Sequence, residues 1–165
     1  MNKVLNNWIL LLFTISLIAI ISALAAEYIF DLSPCKMCLK QRHPYYMILI
    51  TIILFYILRQ SKNIWLFIFN EFAIFYGLFY ATWHVGIEQK ILPGPTSCSG
   101  TLSKTNSIQN LKVQINNQDI VNCTDISWTI LGLSAATINS ILLLFILIFN
   151  SIYIVRKFYD QKKIN

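Results

Sequence analysis

The sequence predicts an all-α membrane protein: a four-transmembrane-helix bundle with two cysteine-bearing loops on one side of the bilayer. Three observations predict it. Of 165 residues, 56% are hydrophobic and only 12% charged, which disfavours both a disordered chain and a water-soluble globule. The apolar residues come in long blocks. All four cysteines fall between those blocks. The net charge of +6 does not point to nucleic acid, because the lysines sit between apolar blocks and form no basic stripe with interleaved aromatics. No nucleic-acid partner is expected.

The first helix is expected over 8–26, a stretch without a charged residue that would span roughly 28 Å. Lys3, the apolar run and Ala23-Leu24-Ala25 also resemble a signal peptide. The run is longer than a signal core, so a retained helix is expected. The second helix is expected over 39–58. Its cleanest part, Tyr45 to Leu58, is too short alone and must recruit residues before Pro44. The third is expected over 64–85, with Glu71 inside, facing the bundle or lying near the cytoplasmic surface. The fourth is expected over 128–155 and carries Asn139 and Asn150. The whole chain, 1–165, then forms one integral membrane domain.

Four helices put both termini on one side and the loops 28–40 and 86–127 on the other. Arg59–Lys62 and Arg156–Lys163 hug helix ends, whereas Lys104 and Lys112 lie deep in the long loop. The positive-inside rule therefore favours cytoplasmic termini. Trp8, Trp65, Trp83 and Trp128 fall near helix ends, as interfacial anchors or as fillers of the bundle core. The 86–127 loop is polar, with a sharp turn expected at Pro93-Gly94-Pro95.

Cys35, Cys38, Cys98 and Cys123 all lie in the two non-cytoplasmic loops, the side on which disulfides persist. Four cysteines allow three pairings. Cys35-Lys36-Met37-Cys38 has the redox spacing. Zinc is disfavoured, because Cys98 and Cys123 do not supply a second close pair, and no metal is expected. Inert disulfides are a stronger alternative for Cys98 and Cys123 than for Cys35 and Cys38, whose short ring constrains little unfolded chain. Lys36, Lys40 and Arg42 surround the pair, and a helix N-terminus follows. Both effects favour thiolate. The same cations also suit lipid headgroups. Arg42 is a candidate ligand for a quinone carbonyl, whose developing charge a guanidinium stabilises. His84 stands at the end of the third helix on the cysteine side, either as a ligand or proton carrier or as a solvated end. Glu71 and Glu88 are given no chemistry.

Taken together, the chain resembles the disulfide bond formation protein B (DsbB) family of bacterial inner membranes, most closely its alphaproteobacterial branch. The resemblance rests on Pro34-Cys35-Lys36-Met37-Cys38-Leu39-Lys40-Gln41-Arg42, on Trp83-His84-Val85-Gly86-Ile87-Glu88, on Pro93-Gly94-Pro95-Thr96-Ser97-Cys98, and on Cys123 shortly before a helix opening at Trp128. It covers nearly the whole chain. It implies a multi-pass inner-membrane oxidoreductase with periplasmic loops. A DsbA-like periplasmic dithiol oxidase would attack a Cys98–Cys123 disulfide, at Cys98. Electrons would pass to Cys35–Cys38, and Cys38 would donate to ubiquinone or menaquinone held by Arg42 and His84. DsbA-like oxidants sit at about −120 mV, so the quinone must pull the sequence forward.

Two other readings compete. A four-helix structural protein stapled by inert disulfides would bind no quinone and tolerate Arg42→Ala. A vitamin K epoxide reductase-like relay carries its CxxC late in the chain, whereas here it lies between the first two helices.

Overall fold

The computed structural model describes residues 7–61, 63–95, 123–124, 129–130 and 132–164. Among them are four helices and one two-residue hairpin. The helices are α1 (Trp8–Tyr28), α2 (Lys36–Ile57), α3 (Ile64–Glu88) and α4 (Ala135–Ile164). The strands β1 (Thr129–Ile130) and β2 (Leu133–Ser134) pair antiparallel, immediately before α4. The expected positions Lys3, Lys62, Cys98, Lys104, Lys112 and Trp128 lie outside the described residues.

α1, α3 and α4 are each long and apolar enough to cross a membrane. α2 is of similar length, but Lys36, Lys40, Gln41, Arg42 and His43 make its first turns polar. Large apolar side chains such as Leu10, Ile50, Phe72 and Phe145 are exposed around the bundle, as a lipid-facing surface requires. α3 packs against both α2 and α4, and α1 packs against α2. The core between them holds Leu12, Ile48, Leu66, Phe67, Ile74, Leu143 and Ile146.

Two helix starts differ from the sequence expectation, and the ends fall at 28, 57, 88 and 164 where the sequence predicts 26, 58, 85 and 155. α2 starts at Lys36 rather than 39, because Cys35 caps it and the helix runs straight through Pro44. The pyrrolidine ring fits because α3 offers Gly77 opposite it. A Cβ at Gly77 would come within 2.5 Å of the Pro44 ring. α4 starts at Ala135 rather than 128, because the hairpin takes up residues before it. Ser134 then accepts from the Thr137 backbone N–H and caps the first turn.

Polar residues inside the apolar blocks find partners across helices. Asn150 donates to Glu71 Oε2 at 2.5 Å and to the Phe67 carbonyl at 3.0 Å, and Ser151 donates to Glu71 Oε1. Glu71 therefore faces the bundle. Trp8 is buried and donates its indole N–H to Asn150 Oδ1 at 3.1 Å, so it belongs to the core and not to an interfacial belt. Trp65 is more than half exposed, as an anchor should be. In a hydrocarbon medium each such interhelical bond contributes on the order of 0.6–2 kcal/mol.

Candidate functional site

The opposite end of the bundle collects the last turns of α1 and α3 and the first turns of α2 and α4. They enclose a cavity of about 540 Å³. One wall is aliphatic, with Ile15, Ile18, Ala19 and Leu142. The polar end holds Cys35, Cys38, Gln41, Arg42, His84 and Asn139. A volume of this size and an apolar lining with a few convergent polar groups suit a small organic ligand.

The cysteine pair is built into a helix start. Cys35 is the N-cap of α2, and its sulfur accepts the backbone N–H of Cys38 at 3.1 Å. The sulfur thus stands at the positive end of the helix dipole. Both thiols are free, with their sulfurs 2.6 Å apart, and Cys35 is the more buried of the two. His84 is buried as well, with Nε2 3.6 Å from the Cys35 sulfur. Its other ring nitrogen lies 2.7 Å from Gln41 Nε2.

Cys35 precedes α2 and Cys38 stands in its polar first turn, and the two thiols separate in acidity. The hydrogen bond from Cys38, then that from His84, pull the Cys35 thiol down to about 5 against the opposing effect of burial. The same hydrogen bond and its own burial hold the Cys38 thiol well above the usual range. The first proton lost from the reduced pair therefore leaves Cys35. Because the acidity is raised, thiolate persists as pH falls and is lost only near pH 5. In the reduced protein, alkylation of Cys35 by iodoacetamide should keep its rate from neutral pH down to roughly pH 6. Mass spectrometry of the labelled peptide reads this. A rate that falls away below about pH 8.5, as for a free cysteine, would contradict the assignment.

The expected cations play a different part. Lys36 is exposed, and Lys40 lies over the Tyr80 ring, 4.9 Å from its centroid. The groups that meet the Cys35 sulfur are Cys38 and His84 instead. Arg42 lines the cavity with Cys38, on the same helix face. It is held there by Glu27 on α1, with Nη1 2.5 Å from Oε2, and it donates from Nη2 to the Ala23 carbonyl at 3.2 Å. Glu27 was not singled out by the sequence. Its signal was that it is the acid at the end of the first apolar block.

Cys123 is buried and disulfide-bonded. Cys98 lies outside the described residues. The Cys123 sulfur, the Cys35 sulfur and a His84 ring nitrogen all lie within 4.8 Å of one another. That spacing would suit a metal ion, but a sulfur tied in a disulfide is not a thiolate donor. It also suits thiol–disulfide exchange between Cys35 and Cys123. Glu88 adds to the group: it lies 3.9 Å from His84 Nε2 and accepts from Ser134 Oγ at 2.5 Å.

Three residues that the sequence reading gave no site role, Gln41, Tyr45 and Asn139, complete the site. Asn139 donates to Gln41 Oε1 at 2.8 Å and accepts from the Tyr45 hydroxyl at 2.5 Å. Polar residues in an apolar block were the available signal, since they are costly without a partner.

A family model described as disulfide bond formation protein DsbB matches residues 5–153. An uncharacterised protein of Rickettsia prowazekii (strain Madrid E) is 36% identical over 149 residues, covering 89% of this chain and 84% of the relative. No solved structure matches the chain.

Proposed function

The chain belongs to the DsbB family, with an alphaproteobacterial-like relative, and is a membrane thiol oxidoreductase of disulfide bond formation; on that premise we propose that it reoxidises a DsbA-like dithiol oxidase and delivers the electrons to membrane quinone. The observation that supports this reading is one cavity with an aliphatic wall, the CxxC pair, Arg42 and His84. Four membrane spans, an inner-membrane location and cytoplasmic termini complete the proposal. They place the pair where a lipid-soluble acceptor and a periplasmic protein can both reach it.

The relay starts at the long loop. A thiolate of the reduced partner attacks Cys98 of a Cys98–Cys123 disulfide and forms a mixed disulfide, and the electron pair leaves on Cys123. The Cys123 thiolate then attacks the Cys35 sulfur of a Cys35–Cys38 disulfide, with which it is almost in contact. The electron pair leaves on Cys38, which faces the cavity. The second partner thiol releases the oxidised partner and frees Cys98, and Cys98 attacks Cys123 to free Cys35. Two electrons now reside on the Cys35–Cys38 pair.

The residues fit a quinone. Arg42 would hold a ring oxygen, and Ile15, Ile18, Ala19 and Leu142 would take its apolar part, while His84, whose ring nitrogens face Gln41 and Cys35, lines the wall beside it. When bound it supplies a two-electron, two-proton acceptor, and the Cys35–Cys38 disulfide is restored. Arg42, fixed by Glu27, is pre-oriented for an anionic oxygen. A structural protein stapled by disulfides has no need of a free, acid-shifted thiol beside a closed disulfide.

A photoactivatable quinone tests the cavity. It should crosslink to the cavity face of α1, between Ile15 and Ala26, and excess ubiquinone or menaquinone should suppress the labelling. Labelling confined to lipid-facing residues such as Leu10 and Phe72, without competition, would refute the site.

A further inference from the structure

Four side chains form a directional hydrogen-bond chain that ends on the Cys35 sulfur. The Tyr45 hydroxyl donates to Asn139 Oδ1 at 2.5 Å. Asn139 can then turn only its amide N–H₂ to Gln41, and it donates to Oε1 at 2.8 Å. With its oxygen occupied, Gln41 presents Nε2 to His84 Nδ1 at 2.7 Å. An amide nitrogen only donates, so Nδ1 must accept and carries no proton. The single proton of a neutral imidazole is thereby placed on Nε2, which faces Cys35 Sγ at 3.6 Å. Gln41, His84 and Tyr45 are buried, and Asn139 is half-buried, so water does not readily replace any link.

We propose that Gln41 and Asn139 are positioning residues that lock His84 in its Nε2–H tautomer, so that His84 donates a hydrogen bond to the Cys35 sulfur and does not take its proton. Whenever a disulfide at Cys35 opens and the electron pair stays on its sulfur, the departing thiolate meets a ready donor. The bond forms between the attacking thiolate and the other sulfur, and the His84 proton stays on Nε2. The titratable groups at Cys35 are Cys38 from α2 and His84 from α3, with Glu88 beside His84; Cys123 also lies close but is tied in a disulfide. Arg42, paired with Glu27 of α1, lines the same cavity. From α4 come Ser134 just before it and Asn139, neither of which titrates. This inference deepens the relay reading. Its readouts need neither quinone nor partner protein, so their failure would leave the relay itself standing.

The test reads the ring directly. The chain has two histidines, His43 and His84, and His43 is exposed. In reduced, detergent-solubilised His43→Asn protein labelled with ¹⁵N-histidine, the remaining ring should show a protonated Nε2 and a bare Nδ1. Asn139→Asp touches no atom of His84, yet its carboxylate can only accept. It should turn Gln41 over, present Oε1 to the ring and bring a proton onto Nδ1. Gln41→Leu should raise the midpoint of Cys35 alkylation by about one pH unit, which lowers the rate about twofold at pH 6 and about fivefold at pH 5. Gln41→Glu should keep the rate, because its carboxylate stabilises the imidazolium, which takes up a second proton from solvent on Nδ1, donates it to the carboxylate and keeps Nε2–H as the donor to Cys35. A protonated Nδ1 in the otherwise unaltered protein would overturn the proposal. So would an alkylation profile that Gln41→Leu leaves unmoved.

Discussion

Cys38→Ser should abolish quinone reduction and at the same time trap the chain with Cys35 bonded to Cys123. Without Cys38 no Cys35–Cys38 disulfide can form. Cys35, a thiolate at neutral pH, then faces the Cys123 disulfide within 4.8 Å and has no competing partner. Exchange moves the disulfide to Cys35–Cys123 and releases the other sulfur as a thiol. Peptide mapping under non-reducing conditions should find that cross-link in most molecules, with turnover at background. Cys35→Ser should be equally inactive but should leave Cys123 in its original disulfide. This asymmetry separates a relay from a pair of staples: inert disulfides would leave Cys123 with the same partner in both variants.

Arg42→Ala should raise the quinone KM about ten- to a hundredfold, since a charge-assisted hydrogen bond is worth roughly 1.5–3 kcal/mol and each 1.4 kcal/mol is tenfold. Two guanidinium N–H groups are engaged, one by Glu27 and one by the Ala23 carbonyl, and the fork has further donors for a ligand oxygen. The substitution also strands the Glu27 carboxylate, about three-quarters buried, next to the cavity. Arg42→Lys is therefore the companion variant. It keeps the charge beside Glu27 but loses the planar fork, so it should fold normally and still raise KM. Steady-state assays with a titrated quinone check this. A KM unchanged in both variants would remove Arg42 from the binding site.

Much of the bundle was legible because hydrophobic blocks are local signals, although Cys38, expected in a loop, lies in the first turn of α2. The third helix start, the inward-facing Glu71 and the helix N-terminus at the CxxC pair could all be read from neighbours in sequence. The spacing of Cys38 and Arg42 placed them on one helix face, and both line the cavity. What escaped the sequence depends on long-range fit. Pro44 blurred the start of α2 because its tolerance is decided by Gly77 on another helix. Trp8 reads as an anchor until Asn150 claims its N–H. The sequence ascribes the acidity of the pair to nearby cations and a helix N-terminus; the helix N–H of Cys38 does contribute at Cys35, but the larger pulls are the Cys38 side chain and His84 far along the chain. Gln41 and Asn139 meet only through the packing of α2 on α4, which no spacing rule encodes. Glu27 acquires its role only because the end of α1 lies against Arg42.

The most direct test of the central claim is an electron count. The detergent-purified protein with quinone is mixed anaerobically with a reduced DsbA-like protein, and quinone is followed by its ultraviolet absorbance. One hydroquinone should appear for each disulfide formed in the partner, and the reaction should require Cys35, Cys38 and Cys123. Partner and quinone left unchanged across several quinones, with Cys123 still in its original disulfide, would contradict the relay and leave a stapled structural protein.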